Sequence, residues 1–223
     1  MGEMSTGSSG GSEGVAVPKA VVARLSLYCR ELQHLVQQGR TTINSAQLGK
    51  RLGVTDAQVR KDLAYFGQFG YPGIGYRCGE LVEQIRRILG TTESWSVVLA
   101  GVGNLGHALL RYRGFADQGF RIVAAVDVAP QKVGQEIAGV RIGHLDRLSE
   151  VMQAHDIRIA VLAVPAPQAQ RVAQQLVDAG IVGILNFAPV TLTLPEDIAV
   201  VGVDLSIELE QLVFAVVKKG VRP

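Results

Sequence analysis

The apolar positions of the first part of the chain follow the period of an α-helix. They recur at spacings of four, three, four and three residues, at Val21, Leu25, Tyr28, Leu32 and Leu35. Pro18 suits the first turn of a helix, where a backbone N–H has no intrahelical partner, and Gly39 suits its end. The pattern predicts one long amphipathic helix that ends before Gly39.

Two shorter helices are predicted on either side of Gly53. Ser45 is the expected cap of the first. The second begins at Thr55, because Thr55 and Gln58 have the spacing of a capping box, in which each side chain bonds the backbone of the other residue. A tight turn therefore joins two short helices.

A glycine-rich segment, GQFGYPGIGY at 67–76, follows the third helix. Its four glycines and one proline exclude a helix and suit a tight hairpin. Another amphipathic helix comes next and ends at Gly90. This order of helices, turn and hairpin is that of a winged helix-turn-helix, whose third helix enters the major groove of DNA.

The hydrophobic pattern changes near residue 93. Short apolar runs rich in β-branched residues now alternate with helical stretches. We expect five strands, at 95–100, 121–126, 157–164, 181–187 and 198–203. Continuously apolar strands that alternate with helices indicate a parallel sheet covered on both faces. The second part of the chain is therefore predicted to be an α/β domain.

Charge separates the same two parts. The formal net charge is +2, but 18–93 holds eleven Lys and Arg against six Asp and Glu, whereas 94–223 holds eleven against twelve. The first part therefore attracts a polyanion. This basic excess, together with the helices and the hairpin, favours DNA binding over the alternative of a structural domain with a solvated charged face.

On the predicted third helix, several side chains point away from the apolar face that contains Val59 and Leu63. They are Gln58, Arg60, Lys61 and Tyr65. Gln58 suits base edges, whereas Arg60 and Lys61 are at least as well suited to phosphates.

A dinucleotide-type turn, GVGNLG, follows the first strand of the second part. Gly101 permits the tight turn, Gly103 lets the backbone approach a pyrophosphate, and Gly106 lets the following helix pack closely. Asp127 ends the next strand, where its carboxylate would bind ribose hydroxyls and repel a 2′-phosphate. We therefore expect NAD(H) rather than NADP(H); the alternative is that Asp127 only caps the next helix.

Little in the chain predicts catalysis on that dinucleotide. An enzyme needs a proton donor or acceptor near the reacting carbon and usually a substrate domain. The four histidines are better explained as surface or packing residues, and about twenty residues follow the sheet. We predict no catalytic residue; a small NAD-dependent oxidoreductase with a helical dimerisation domain is the alternative, and a regulator that responds to another nucleotide is a third.

Nine of the thirteen residues at 205–217 are apolar. A helix that is apolar around most of its girth must be covered around most of its girth, so we expect it to pack against another subunit or between domains.

Composition limits the remaining classes. The two cysteines, Cys29 and Cys78, have no metal-ligand spacing, so we expect plain thiols and no bound metal. No apolar run is long enough to span a bilayer, and no charged segment precedes an apolar core at the N-terminus. We expect a cytoplasmic protein without a membrane partner.

Three strings carry a resemblance to a known family. They are QVRKDLAYFG at 58–67, GVGNLG followed by DVAPQKVG at 127–134, and GILNFAPV at 183–190. Together they resemble the Rex family of redox-sensing transcriptional repressors. The resemblance implies a homodimer that binds operator DNA when NADH is low and releases it when NADH binds.

The resemblance also implies an organisation and site residues. Its parts are a winged-helix domain at 15–93, a Rossmann-like NAD(H)-binding domain at 94–203 and a domain-swapped dimerisation helix at 204–223. Residues 1–14 are rich in Gly and Ser and have no apolar periodicity, so we expect them to be a disordered tail. The residues expected around the dinucleotide are Gly101, Val102, Gly103, Asn104, Leu105, Gly106, Asp127, Asn186, Phe187, Ala188 and Pro189. Those expected to link the domains as a switch are Arg30, Tyr112 and Asp204.

The predicted wing departs from the family pattern. Where the family commonly has an arginine between the wing glycines, this chain has Tyr71 and Pro72 before GIGY. We therefore expect Tyr71, Tyr76 and Arg77, with the wing backbone, to supply the DNA contacts, and we expect operator affinity or A·T preference to differ from that of the family.

Overall fold

The helical spacing of the first apolar stretch produces helix α1, Lys19–Gln37, in a computed structural model of the chain. Its buried side chains include all five predicted apolar positions. The structure describes residues 17–221, so the predicted disordered tail at 1–14 lies outside the described residues. The chain divides into two units between Thr92 and Glu93.

The first unit combines helices with a two-stranded sheet. After α1 it contains β1 (Thr42–Ile43), α2 (Ser45–Leu52), α3 (Asp56–Ala64), β2 (Tyr76–Arg77) and α4 (Cys78–Ile88). β1 and β2 pair antiparallel. The core is formed by the apolar faces of the helices, with Leu25, Leu48, Val59 and Ile85 wholly buried. This is the predicted order of helices and hairpin.

One predicted helix cap is corrected, and the other is confirmed in part. Asn44, not Ser45, caps α2: its side chain accepts from the backbone N–H of Gln47 at 2.8 Å, and the Gln47 side chain accepts from the N–H of Asn44 at 3.3 Å. The capping box therefore begins one residue earlier, on an equally good cap residue. At α3, Thr55 accepts from the N–H of Gln58 at 3.1 Å. The Gln58 side chain turns elsewhere, so the second half of that predicted box is absent.

The second unit contains a seven-stranded sheet. Its strands are β3 (Trp95–Ala100), β4 (Phe120–Asp127), β5 (Glu136–Ile137), β6 (Val140–His144), β7 (Ile159–Leu162), β8 (Gly183–Asn186) and β9 (Ala199–Gly202). Their spatial order is β5-β6-β4-β3-β7-β8-β9, and each pair is parallel except β5 with β6. All five predicted strands are present, mostly a few residues shorter.

The prediction of five strands is nevertheless wrong in number. β5 and β6 form a hairpin around Ala138 and Gly139, both of which have positive φ. Strand β5 is only two residues long, and β6 alternates buried Val140 and Ile142 with polar residues. This edge hairpin lacks the continuous apolar run by which the central strands were recognised.

Helices cover both faces of the sheet, as predicted. They are α5 (Asn104–Leu110), α6 (Gly114–Asp117), α7 (Leu148–His155) and α8 (Ala166–Asp178); a further helix, α9 (Leu205–Val217), follows β9. Val98 of β3 belongs to a buried cluster with side chains of α7 and α8, whereas Leu99 belongs to another with Leu110 of α5. Strand alternation therefore supplies two cores.

Helix α9 differs from the other long helices because none of its side chains is buried. Leu205 and Phe214 are each 63% exposed. Within residues 17–221, no helix combines the length and the apolar character needed to cross a membrane.

Candidate functional site

Helix α3 presents the donors that the sequence places on its outer face. Lys61 and Tyr65 are exposed, and the Lys61 ammonium has no ion-pair partner among residues 17–221. The Arg60 guanidinium donates to Asp56 at 2.7 Å and to the Ser45 hydroxyl at 3.0 Å. Arg60 is therefore held along the α2–α3 surface, whereas Lys61 is free to reach a phosphate.

Gln58 does not point fully outward as predicted. It is half-buried, and its side-chain Nε2 donates to the Oδ1 atom of Asp62 at 2.7 Å. Asp62 is wholly buried and also accepts hydrogen bonds from Arg24 and Tyr28 of α1. The apolar pattern missed Asp62, although its spacing of three residues from buried Val59 could have indicated an inward carboxylate.

The wing is a narrow hairpin. The backbone groups of Tyr71 and Gly75 exchange hydrogen bonds at 2.7 and 3.0 Å. At its base, the Arg77 guanidinium donates to Glu80 at 2.8 Å and lies 4.6 Å from the centre of the Tyr71 ring. The Tyr71 hydroxyl donates to the other Glu80 oxygen at 3.0 Å. Tyr71 and Arg77 thus form one exposed cluster with Glu80.

The structure contradicts the predicted exposure of Tyr76. This residue is only 8% exposed and belongs to the core of the first unit. Successive strand residues face opposite sides, so β2 directs Tyr76 inward and Arg77 outward. Burial raises the pKa of the Tyr76 hydroxyl. Tyr76 is therefore a packing residue that supports the wing.

The glycines of the dinucleotide-type turn have distinct local environments. Gly101 has a φ of +94°, and a Cβ there would lie 2.6 Å from the Ala163 carbonyl oxygen. A Cβ on Gly106 would lie against the carbonyl oxygen of Gly101, so α5 packs closely on the turn. A Cβ on Gly103 would meet open space. Gly101 and Gly106 are thus required by packing, and Gly103 borders free volume.

Asp127 lies beside that turn, at the carboxyl end of β4. Its Oδ2 accepts from the backbone N–H of Val102 at 2.8 Å and from Lys132 Nζ at 3.0 Å. Its Oδ1 accepts from the N–H of Ala129 at 2.9 Å. Burial raises the pKa of Asp127, but these donors outweigh burial and hold the pKa below its usual value. Asp127 is therefore an ionised acceptor at the turn.

A cleft of about 420 Å³ opens at this edge of the sheet. Gly101, Gly103 and Asp127 line it on one side, and Pro165 and Arg171, from the start of α8, line it on the other. β4 and β7 lie on opposite sides of β3, so the cleft is at the point where the chain reverses its direction across the sheet. Nucleotides bind at such points in open α/β sheets.

The segment Asn186–Pro189 does not line that cleft. It follows β8, which is separated from β3 by β7. The Asn186 amide donates to the Val190 carbonyl oxygen and accepts from the N–H of Ala188, both at 2.9 Å. Asn186 and Ala188 are buried, whereas Pro189 is exposed. The segment lies at the same carboxyl edge of the sheet as the glycine turn.

Comparison with known proteins identifies the family. The chain is 46% identical to the redox-sensing transcriptional repressor Rex of Carboxydothermus hydrogenoformans, over 91% of this chain and 97% of that protein. It is also 46% identical to Rex of Streptomyces coelicolor, over 89% of this chain and 77% of that protein. The chain belongs to the Rex family.

Domain families and solved structures agree with this Rex membership. Residues 92–190 match the CoA binding domain family, and 16–64 match the family described as "Putative DNA-binding protein N-terminus". A crystal structure of RSP with β-NAD⁺ and operator DNA is similar at a TM-score of 0.86 and 33% identity, over 92% of this chain and 95% of that chain. A crystal structure of RSP with β-NADH is similar at a TM-score of 0.83 and 32% identity, over 92% of this chain and 97% of that chain.

The residues expected to form the Rex switch are all accessible within their own units. Arg30 is exposed on α1. In the second unit, Tyr112 is 59% exposed, and Asp204 caps α9 by accepting from the N–H of Ser206 at 2.9 Å. This cap holds the pKa of Asp204 below its usual value, chiefly through the Ser206 hydroxyl.

The predictions of no bound metal and of plain thiols concern the possible metal ligands and the two cysteines. Among residues 17–221, no group of three or more His, Cys, Asp or Glu side chains is arranged to hold a metal ion. Cys29 and Cys78 are buried free thiols, and burial raises the pKa of each. A raised pKa keeps both thiols protonated and poorly nucleophilic.

Proposed function

We propose that this Rex-family chain is an NADH-responsive transcriptional repressor, which binds operator DNA when NADH is low and releases it when NADH binds. The observation that carries the proposal is the presence, in one chain, of an outward donor face on α3 and a glycine-turn cleft beside Asp127. The Rex names of its relatives and the RSP structures with operator DNA, NAD⁺ and NADH support it.

The residues at the cleft fit a dinucleotide. We assign the pyrophosphate to the turn Gly101–Gly106, with Val102, Asn104 and Leu105 contributing, because Gly103 borders free volume there. Asp127 would accept hydrogen bonds from ribose hydroxyls, since its ionised oxygens only accept. The bound dinucleotide can donate a hydride, but the proposed role here uses only its recognition.

The nicotinamide is assigned to Asn186, Phe187, Ala188 and Pro189. The support is their position at the same carboxyl edge of the sheet as the glycine turn. The Asn186 side chain already holds the backbone of this segment through two hydrogen bonds. We therefore assign Asn186 to shaping the nicotinamide end of the site, and we assign Phe187 and Pro189 to positions nearer the ring.

On the DNA side, we assign Lys61 and Arg60 to phosphates, Gln58 and Tyr65 to base edges, and Tyr71 and Arg77 to the groove beside the wing. Lys61 is the strongest phosphate candidate because its ammonium is exposed and forms no ion pair within residues 17–221. Tyr76 supports the wing from inside the core and makes no direct contact.

A homodimer is proposed from helix α9. Its large apolar side chains are exposed along its whole length. Burying them against a second copy of the chain would stabilise the assembly by about 25 cal/mol for each Å² removed from water. We therefore propose that α9 is the swapped dimerisation helix, and that Arg30, Tyr112 and Asp204 couple the domains within the dimer.

The alternative of an NAD-dependent oxidoreductase predicts consumption of NADH, whereas the sensor predicts none. The deciding experiment is a fluorescence anisotropy titration of DNA selected by the full chain, against NADH, NAD⁺ and NADPH, with NADH absorbance followed in parallel. We expect NADH alone to release DNA, at constant absorbance. Release by none of the three would overturn the sensor, release by NADPH alone would favour another nucleotide, and substrate-dependent loss of absorbance would favour the oxidoreductase.

A further inference from the structure

A buried acid lies on the helix that is proposed to enter the DNA groove. Asp62 of α3 has no exposed surface. The Arg24 guanidinium of α1 donates two hydrogen bonds to its carboxylate, from Nε at 2.6 Å and from Nη2 at 2.8 Å. The Tyr28 hydroxyl donates a third at 2.7 Å. These donors fix the position of the carboxylate from inside the first unit.

The fourth donor to this carboxylate is the amide of Gln58, whose Nε2 lies 2.7 Å from Asp62 Oδ1. Gln58 is one helical turn before Asp62 and is half-exposed. Burial raises the pKa of Asp62, but the bonds from Arg24, Tyr28 and Gln58 outweigh burial and hold the pKa below its usual value. Asp62 is therefore ionised at neutral pH.

The ionised state decides which end of the Gln58 amide faces inward. An ionised carboxylate can only accept hydrogen bonds, so the NH₂ end of the amide must face Asp62. The carbonyl Oε1 is thereby turned away from the carboxylate, and it makes no hydrogen bond within residues 17–221. Gln58 thus offers an acceptor to its surroundings.

We propose that Asp62 is a positioning residue for DNA readout, which locks the Gln58 amide so that its carbonyl oxygen is the end turned toward a base edge. The inference rests on the proposed DNA-binding function and specifies how its recognition helix reads sequence. A free glutamine amide can turn over and present its donors to guanine or thymine, whereas the locked amide presents its carbonyl, which accepts from an exocyclic amino group. Adenine and cytosine carry one in the major groove, and guanine and thymine do not.

Stability alone does not account for this arrangement. A buried ion pair gains little over apolar residues of similar volume, because desolvation offsets the attraction between the charges. Val59 and Leu63 already bury α3 in the core. Of the residues bonded to Asp62, Gln58 is the one on α3, in the first turn of that helix, and it is half-exposed.

The test is a binding-site selection from random-sequence duplex DNA with the full chain, followed by affinities for the selected duplex with each base at each position. For the wild type, we expect one position on one strand to accept adenine or cytosine and to reject guanine and thymine by roughly five- to ten-fold. In Asp62→Asn, whose amide can accept or donate, this ratio should fall to about one.

Two further variants keep the inference testable where Asp62→Asn folds poorly. Gln58→Met removes the acceptor and leaves the bonds of Asp62 to Arg24 and Tyr28, so it should abolish the same preference. Tyr28→Phe is the matched control, since it removes a bond to Asp62 from the core side and should leave the preference unchanged.

The selection distinguishes a failure of the proposed DNA-binding function from a failure of the Asp62–Gln58 lock. If no variant, including the wild type, enriches any sequence, the proposed function fails and the base readout fails with it. If the wild type selects a sequence but its base preferences persist in Asp62→Asn and Gln58→Met, the function stands and the lock is overturned. A loss of the preference in Tyr28→Phe would also overturn it.

A spectroscopic readout needs no DNA. The side-chain NH₂ proton of Gln58 that is donated to Asp62 should be protected from exchange with water in the free protein, and this protection should be lost in Asp62→Asn. Rapid exchange of both protons in the wild type would contradict the lock.

Discussion

The carboxylate of Asp127 accepts a hydrogen bond from the backbone N–H of Val102, across 2.8 Å. The acid at the end of β4 is thereby tied to the turn that follows β3. One residue thus supports both halves of the proposed dinucleotide site, because it offers acceptors to a ribose and fixes the turn assigned to the pyrophosphate. The remaining bonds of Asp127, to Lys132 and the N–H of Ala129, hold the carboxylate in place.

Replacing Asp127 by alanine should remove the response to NADH and retain DNA binding. The variant loses the ribose acceptor and the bond to Val102, and it no longer repels a 2′-phosphate. Anisotropy titrations with NADH and NADPH would show a large loss of NADH potency and a smaller difference between the two dinucleotides. Lys132→Ala, which keeps the carboxylate, is the control; unchanged NADH potency in Asp127→Ala would remove this residue from the site.

The glycines of the turn provide a matched pair of substitutions. Gly106→Ala should destabilise the second unit, because its Cβ would collide with the carbonyl oxygen of Gly101. Gly103 has φ −79° and open space where a Cβ would be, so Gly103→Ala should fold normally but bind NADH more weakly. Thermal unfolding and NADH titration measure the two effects. Wild-type NADH affinity in Gly103→Ala would contradict close approach of the pyrophosphate.

Lys61→Ala should weaken binding to every DNA sequence. The exposed ammonium is proposed to neutralise a phosphate, so its loss should reduce the slope of log affinity against log salt by about one. Lys61→Arg is the control, because it keeps the charge and should keep the slope. Affinities measured between low and moderate salt give the slope, and an unaltered value for Lys61→Ala would contradict the phosphate contact.

The coupling residues are tested through communication between the two binding events. Arg30→Ala should bind both DNA and NADH but release DNA less completely when NADH is added, because a charge proposed to link the domains is lost. The measurement is DNA release at saturating NADH, beside separate affinities for each ligand. Lys19→Ala removes another cation of α1 as a control; normal release in Arg30→Ala would assign Arg30 a structural role only.

Asp62 should make the first unit sensitive to acid. Its pKa is lowered in the folded chain, so the carboxylate stabilises the fold above its unfolded pKa of about 4, and this stabilisation is lost as the pH falls toward the folded pKa. At pH 7, Asp62→Asn should lower the free energy of unfolding by about 2 kcal/mol. Amide hydrogen exchange of α1 and α3 measures the difference in stability between the wild type and Asp62→Asn. This difference should shrink as the pH approaches 3.

A constant difference between pH 7 and pH 3 would show that the ionised form of Asp62 contributes nothing to stability. Tyr28→Phe provides a comparison within the same network, because it removes one hydrogen bond to the carboxylate and keeps the ion pair with Arg24. Its effect at pH 7 should be about 1 kcal/mol.

Periodicity in the sequence was enough to predict the long helix α1, the central strands and the glycine turn. These elements depend on local patterns: burial every three or four residues, continuous apolar strands, and the glycines of a turn where φ is positive or two backbones touch. Gly101 and Gly106 show this directly, since each is required by a neighbour that any side chain would displace. The family resemblance, carried by three short strings, is confirmed by relatives that are 46% identical.

Only the tertiary structure decided where polar side chains find their partners. Asp62 lies on the buried face of α3 with Val59 and Leu63, and only the packing of α1 against α3 brings Arg24 to it. Tyr76 and Arg77 are neighbours in the chain, but their strand sends one into the core and the other to the surface. The sequence alone determines spacing along each element, whereas the partners of a buried charge are set by contacts between elements far apart in the chain.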